Sequence, residues 1–227
     1  MRQKLQTALL KIRRHGVGHT LYEAAVKSLG TIADFKILRG VSVDRPDPAF
    51  LDCRYETKIL RDSELREFAR DPVNEMSPEF VEEALARGDQ CYAICDGGRL
   101  AAYGWYAFGE TPIGIPGLVL RFSPGHVYMY KGFTHHDYRG QRLHAIGMTR
   151  ALRHYLAAGY KGIVSYVEST NFDSLKSCYR MGYEAFGTVY VVHGPGGYFS
   201  FSTPGCRRYA FRVAHAASGK SDLLYGK

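Results

Sequence analysis

Cysteine is sparse: Cys53, Cys91, Cys95, Cys178 and Cys206 make an odd count, with no C-x-x-C pair and no histidine at metal-ligand spacing. That pattern excludes a disulfide framework and a zinc module, so reduced thiols and no metal are the expectation. Cys91 and Cys95 fall on one strand face and read as core. No apolar run approaches the ~20 residues that cross a bilayer, and the start lacks the uninterrupted apolar stretch of a signal peptide, so a cytoplasmic location is expected. Acids are scarce in the first forty residues, where only Glu23 and Asp34 stand against eight lysines and arginines. The net charge of +8 is therefore concentrated in an N-terminal arm. The arm also lacks an aromatic platform or a recognition-helix signature, which makes nucleic acid an unlike partner.

What is present is a globular composition, 45% hydrophobic and 13% aromatic over 227 residues, enough for one core and an extension. Residues 1–45 read as a basic, amphipathic helical extension, 46–215 as the main domain and 216–227 as a C-terminal tail. In the extension, Met1, Leu5, Ala8, Leu9 and Ile12 recur at helical spacing among basic residues, and a second helix spans roughly Thr20 to Leu29, ending at Gly30. Two readings of these helices stay open. They pack on the main domain with their charges in water, or residues 1–30 make peripheral contact with an anionic inner membrane face.

From Asp52 onward strands and helices alternate. A strand over Asp52 to Leu60 precedes a helix that Asp62 caps. Ser77-Pro78-Glu79 opens another helix. Gln90 to Cys95 and Arg99 to Tyr106 form a hairpin about Asp96-Gly97-Gly98. The Gly/Pro-rich stretch Ala107 to Gly125 holds the apolar run Leu118-Val119-Leu120. A strand (His126 to Thr134), a helix (Arg139 to Ala158), a strand (Gly162 to Glu168) and a helix (Phe172 to Met181) follow. The last hairpin pairs Ala185 to Val192 with Tyr198 to Arg212. The class is α/β with a mixed sheet.

The turn Tyr138-Arg139-Gly140-Gln141-Arg142-Leu143-His144 leads from a strand into a helix and offers free N–H groups at the positive end of a helix dipole, a setting suited to a pyrophosphate. With Tyr138, Arg139, Gly140 and Leu143 here, and Asn171, Tyr179, Gly182 and Tyr183 in order downstream, the chain resembles the GNAT superfamily of acyltransferases over roughly Asp52 to Arg212. Arg142 and His144 stand where that family usually places small residues, which makes the pyrophosphate loop atypical.

The resemblance implies a mixed, mostly antiparallel sheet with a splayed central strand pair, flanked by helices. It implies acetyl-CoA or a longer acyl-CoA as cosubstrate and a primary amine as acceptor, an amino-lipid or amino-sugar being one form. The coenzyme would be held by Phe133 and Thr134 through the main chain, by Arg139, Gly140, Gln141, Arg142, Leu143 and His144 at the pyrophosphate, and by Asn171 at the pantetheine. Asn171 reads equally as the cap of the following helix. Tyr179 resembles the proton donor to the leaving thiolate, a task that suits a neutral phenol. Tyr128 and Tyr130 take the inward positions of the splayed strand, and Glu168 is the nearest carboxylate that could serve as a base. With no strong base among them, a non-catalytic acyl-CoA-binding regulatory module is the alternative.

Overall fold

The computed structural model describes residues 2–216; the expected tail, apart from residue 216, lies outside them. Six helices and eleven strands are ordered as α1 (Arg2–His15), α2 (Val17–Ala33), β1 (Lys36–Val43), β2 (Glu56–Ile59), α3 (Asp62–Phe68), α4 (Pro78–Ala86), β3 (Gln90–Asp96) and β4 (Arg99–Ala107). After these come β5 (Thr111–Pro112), β6 (Leu118–Arg121), β7 (Val127–Thr134), α5 (Leu143–Ala157), β8 (Ile163–Glu168), α6 (Phe172–Arg180), β9 (Glu184–Gly194), β10 (Gly197–Ser202) and β11 (Arg212–His215).

Eight strands form one sheet in the order β10-β9-β1-β8-β7-β4-β3-β2, antiparallel throughout except for β7 beside β8. A second sheet holds β11-β6-β5. The period-2 alternation of β7 divides the core in two. Val127 and Met129 face α5 and α6, packing with Met148, Leu152, Cys178 and Met181. Tyr128 faces the other way, toward Ile113, Leu120 and Val213 of the small sheet. Further along that second face, Trp105 and Phe133 pack with Leu65 of α3 and with Val81 and Ala84 of α4. β3 and β4 are covered on both faces and buried along nearly their whole length.

Several local expectations hold. Ser77 accepts a hydrogen bond from the Phe80 N–H at 3.2 Å and caps α4, and the hairpin turns where Asp96-Gly97 lies. Others need correction. Residues 36–43, read as part of a helical extension, form β1 between β8 and β9, because Leu38, Val41 and Val43 supply buried apolar side chains inside the sheet. α2 runs through Gly30 to Ala33, and Asp34 in a left-handed conformation ends it. The strand begun at Asp52 is ordered as such only from Glu56, and α3 starts at Asp62, with Arg61 in the capping position and its N–H bonded to Glu64 at 2.9 Å. The stretch expected as one strand from Tyr198 to Arg212 breaks at Pro204-Gly205 into a helical turn and re-emerges as β11 in the small sheet.

α1 and α2 make an antiparallel hairpin against the start of α6. The rings of His15 and His19 lie 5.5 and 4.6 Å from Phe172, the Tyr22 hydroxyl donates to Ser169 at 2.9 Å, and Arg14 pairs with Asp173 at 2.9 Å.

Candidate active site

β7 and β8 are in parallel register at only two positions, Val127 with Ile163 and Tyr128 with Val164. Beyond them the strands separate, while β8 stays paired to β1 as far as Glu168. Ser165 closes the inner end of the gap by donating its hydroxyl to the Met129 carbonyl at 2.7 Å. A bulge lies at the same point. Lys131 is opposite Trp105 and Met129 is opposite Tyr106, so Tyr130 is the extra residue, and both Tyr130 and Lys131 turn to the face of α3 and α4.

The free edge of β7 follows from ladder alternation. His135 N–H donates to Ala101 carbonyl at 2.9 Å, which makes Phe133 and Lys131 the positions bonded to β4 and turns the main-chain groups of Gly132 and Thr134 into the gap. Of the two residues expected to meet a pantetheine, Thr134 therefore turns its main chain into the gap and Phe133 does not. Gly132 has a second reason to be glycine. A Cβ there would lie 2.6 Å from Cε1 of His144 and 2.9 Å from Cε of Met129.

The turn before α5 is anchored from below. The Tyr138 hydroxyl donates to Asp96 at 2.9 Å, and Leu143 is buried against Ile94, Ala101 and Ala102, so the first residue of α5 is fastened to the β3–β4 hairpin. Gln141 accepts from Tyr55 and Arg54 at 2.9 Å each. Gly140 and Arg142 both have positive φ, 81° and 59°. The first main-chain bond of α5 runs from Ile146 N–H to Arg142 carbonyl at 3.0 Å, which leaves the Leu143, His144 and Ala145 amides at the helix terminus without a helical acceptor. Arg54, Arg139 and Arg142 are exposed around this end. His144, in contrast, folds down onto Gly132 rather than over the turn, and burial holds its imidazole below the usual value, neutral at pH 7. Free amides, a dipole end and exposed guanidinium groups fit a pyrophosphate, and the gap-facing amides and carbonyls of β7 fit an amide-bearing arm.

The other expected site residues lie off this turn. Asn171 caps α6, accepting from Ser174 N–H at 3.1 Å. Glu168 ends β8 at the exposed rim, within electrostatic reach of Lys27 of α2. Tyr128 is buried, its ring stacked on Tyr166 across the β7–β8 junction. Tyr179 lies on the outer side of α6. At 100° per residue it shares a flank of α6 with Phe172, whose ring packs on His15 of α1 and His19 of α2. It is 48% exposed. Cys178, not Tyr179, faces the sheet, where burial lifts its thiol to about 11.

On the α3–α4 face of β7 a cavity of about 610 Å³ is lined by Met76, Phe80, Glu75, Arg87, Tyr130 and Lys131 among others. Its wall contains a polar chain that sequence reasoning missed. The Tyr130 hydroxyl donates to Asp89 at 3.0 Å, and Arg87 pairs with the same carboxylate at 2.9 Å. Burial raises Asp89 above its ordinary value against the pull of Arg87, and raises the Tyr130 phenol as well. Asp89 and Arg87 come from the turn between α4 and β3, and a bulge is invisible in a linear pattern. The only available signal was the lysine beside an inward tyrosine.

The acetyltransferase (GNAT) family model matches residues 57–183. Among solved structures, a putative GNAT-family acetyltransferase from Novosphingobium aromaticivorans is similar at 15% identity, covering 81% of this chain and 66% of that one, with a TM-score of 0.47. A GNAT-family acetyltransferase from Colwellia psychrerythraea is similar at 14% identity, covering 74% and 57%, with a TM-score of 0.49. The chain thus spans less than two thirds of either. An aminoglycoside N-acetyltransferase solved with CoA is similar at 15% identity over 57% of this chain and 91% of that one, with a TM-score of 0.44. No curated protein sequence matches. The matched segment is more than half of the 227 residues and runs from β2 through the splayed pair to Tyr183. The chain belongs to the GNAT family of acetyltransferases.

Proposed function

We propose that the protein transfers an acetyl or longer acyl group from coenzyme A to a primary amine by direct attack on the thioester. The observation that carries this reading is the opening of β7 from β8 after two register positions, directly beside the free amides of α5. In it, Leu143, His144 and Ala145 amides with Arg139 and Arg142 hold the pyrophosphate, and Gly132 and Thr134 hold the pantetheine. The acceptor enters from the cavity on the α3–α4 face, where Tyr130 stands at the inner end of the gap. A phenol bonded to a carboxylate can take a proton from the amine while passing its own to Asp89, so Tyr130 and Asp89 take the base role in place of Glu168. The test is thiol release from acetyl-CoA and longer acyl-CoAs with a panel of amines. Amine-dependent release supports the reading, and release that is the same with and without amine removes it.

One observation favours a non-catalytic acyl-CoA-binding module instead: the α6 side chain packed against the sheet is Cys178, while Tyr179 is exposed. Saturable coenzyme binding without turnover of any amine would select it.

Within the catalytic reading, an acceptor at the inner membrane face draws support from α2. Its outer face, Val17, Leu21, Ala24, Ala25, Ser28 and Leu29, is exposed and carries no charge, and the basic α1 lies alongside. No helix among the described residues is long and apolar enough to cross a membrane, so such contact is peripheral. Sedimentation with anionic vesicles, with and without residues 1–30, decides it. Equal partition of both forms would remove the membrane part and leave the amine chemistry intact.

A further inference from the structure

Lys131 has a position that the coenzyme chemistry does not use. The bulge at Tyr130 turns it off the gap and into the 610 Å³ cavity, where its ammonium lies 5.2 Å above the Phe80 ring. It is half-buried, and among the described residues no carboxylate stands within ion-pair distance of it, whereas Arg87, the other cation of the cavity, is committed to Asp89. Burial holds the lysine below its ordinary value. A partly desolvated cation with only a ring for company lacks compensation for the water it has lost, and an anionic group arriving in the cavity supplies it. Glu75 also lines the cavity and acts on Lys131 only at a distance. Its backbone is held in a left-handed conformation with φ 49°, and its carbonyl accepts from the Tyr103 hydroxyl at 3.1 Å. Met76, Pro78, Phe80 and Pro112 add apolar wall to the same cavity.

From this juxtaposition we infer that the acyl acceptor is an amine that also carries an acidic group, carboxylate or phosphate, on a partly apolar body, and that Lys131 is the residue selecting it. The inference rests on the acyltransferase reading and specifies its substrate class. Glu75 draws in the ammonium form of the amine, Lys131 holds the acid, and the cavity volume suits a ligand of small-molecule size. The same chemistry occurs in a free amino acid and in the headgroup of an aminophospholipid, so both sources belong in the test.

The experiment uses the full chain with acetyl-CoA and three acceptors: phenylethylamine, phenylalanine, and phosphatidylethanolamine presented in vesicles. Thiol release is measured for each, along with calorimetric binding of the two soluble amines to the coenzyme-loaded protein. One acid-bearing acceptor is expected to exceed phenylethylamine in kcat/KM, and which of the two does so identifies the source. Lys131→Met is expected to shrink that preference roughly tenfold or more, chiefly through KM, as removal of a charge-assisted contact does. Lys131→Arg should restore most of it, which a purely structural role for the side chain would not produce. Preference for phenylethylamine in rate or affinity, or an equal effect of Lys131→Met on all three acceptors, overturns the inference. Failure of acetyl-CoA to bind would overturn the underlying reading instead, and the coenzyme titration made first separates the two.

Discussion

Gly132 is where the strand edge, the coenzyme gap and the atypical loop meet, and replacing it by alanine tests all three. The added Cβ would sit 2.6 Å from Cε1 of His144 and 2.9 Å from the Met129 methyl. Carbon contacts settle near 3.5–4.0 Å, so the imidazole must retreat by about 1 Å. It has little freedom to do so, because it lies under the first turn of α5 and that turn is fastened through Leu143. Overpacking of this kind costs about 1–3 kcal/mol, or about 2–4 °C in Tm for each kcal/mol in a chain this long. A ring pushed upward also disturbs the Leu143, His144 and Ala145 amides, so coenzyme affinity should fall along with stability. The assay is a double-mutant cycle by urea unfolding, with Gly132→Ala, His144→Ala and both together. Removing the ring vacates the space the methyl needs, so the pair should be more stable than the sum of the single effects by about 1–2 kcal/mol. Strict additivity would refute the placement of His144 on Gly132.

Four other substitutions and a change of pH separate further roles. Tyr130→Phe should lower kcat/KM roughly tenfold or more, with coenzyme affinity little changed, whereas Tyr179→Phe should leave both unchanged because its side chain lies on the exposed flank of α6; a loss confined to Tyr179→Phe would reverse the assignment. Arg142 holds φ 59° with a side chain that disfavours it, so Arg142→Gly should raise urea stability by about 0.5–1 kcal/mol and weaken coenzyme binding by loss of a cation; lower stability would show that the guanidinium supports the fold. His144 and His126 are both kept below the ordinary value of 6.5 by burial. The unfolded chain takes up these protons before the folded one, so stability is fully present above pH 6.5 and declines as pH falls below it. His144→Gln should flatten that acid limb, and an unchanged slope would contradict a neutral ring packed on Gly132.

The parts of the fold legible in the sequence were those with a local signal. Ser77-Pro78 marks a helix start, Asp96-Gly97 a hairpin, and the Gly140 turn a strand-to-helix junction, each through chemistry confined to a few residues. β1 was hidden because its basic and glycine residues, Lys36, Arg39 and Gly40, break the apolar alternation of a central strand. The split between β10 and β11 was foreshadowed only by Pro204-Gly205. In the site, the turn into α5 was legible because amides and a dipole depend on backbone path rather than on side chains. Motif order did not separate Tyr179 from Cys178, because a single step along a helix turns a side chain by 100°. Asp89, Arg87 and Lys131 converge through tertiary packing and a bulge, and no spacing in the chain links them.

The coenzyme assignment rests on particular main-chain groups, so amide hydrogen exchange with and without acetyl-CoA tests it most directly. On addition of coenzyme, exchange at Gly132, Thr134, Leu143, His144 and Ala145 should slow together, while Phe133, already bonded to β4, should change little. Unaltered exchange at those five amides, or protection confined to another part of the surface, would contradict the assignment of the β7–β8 gap as the coenzyme site.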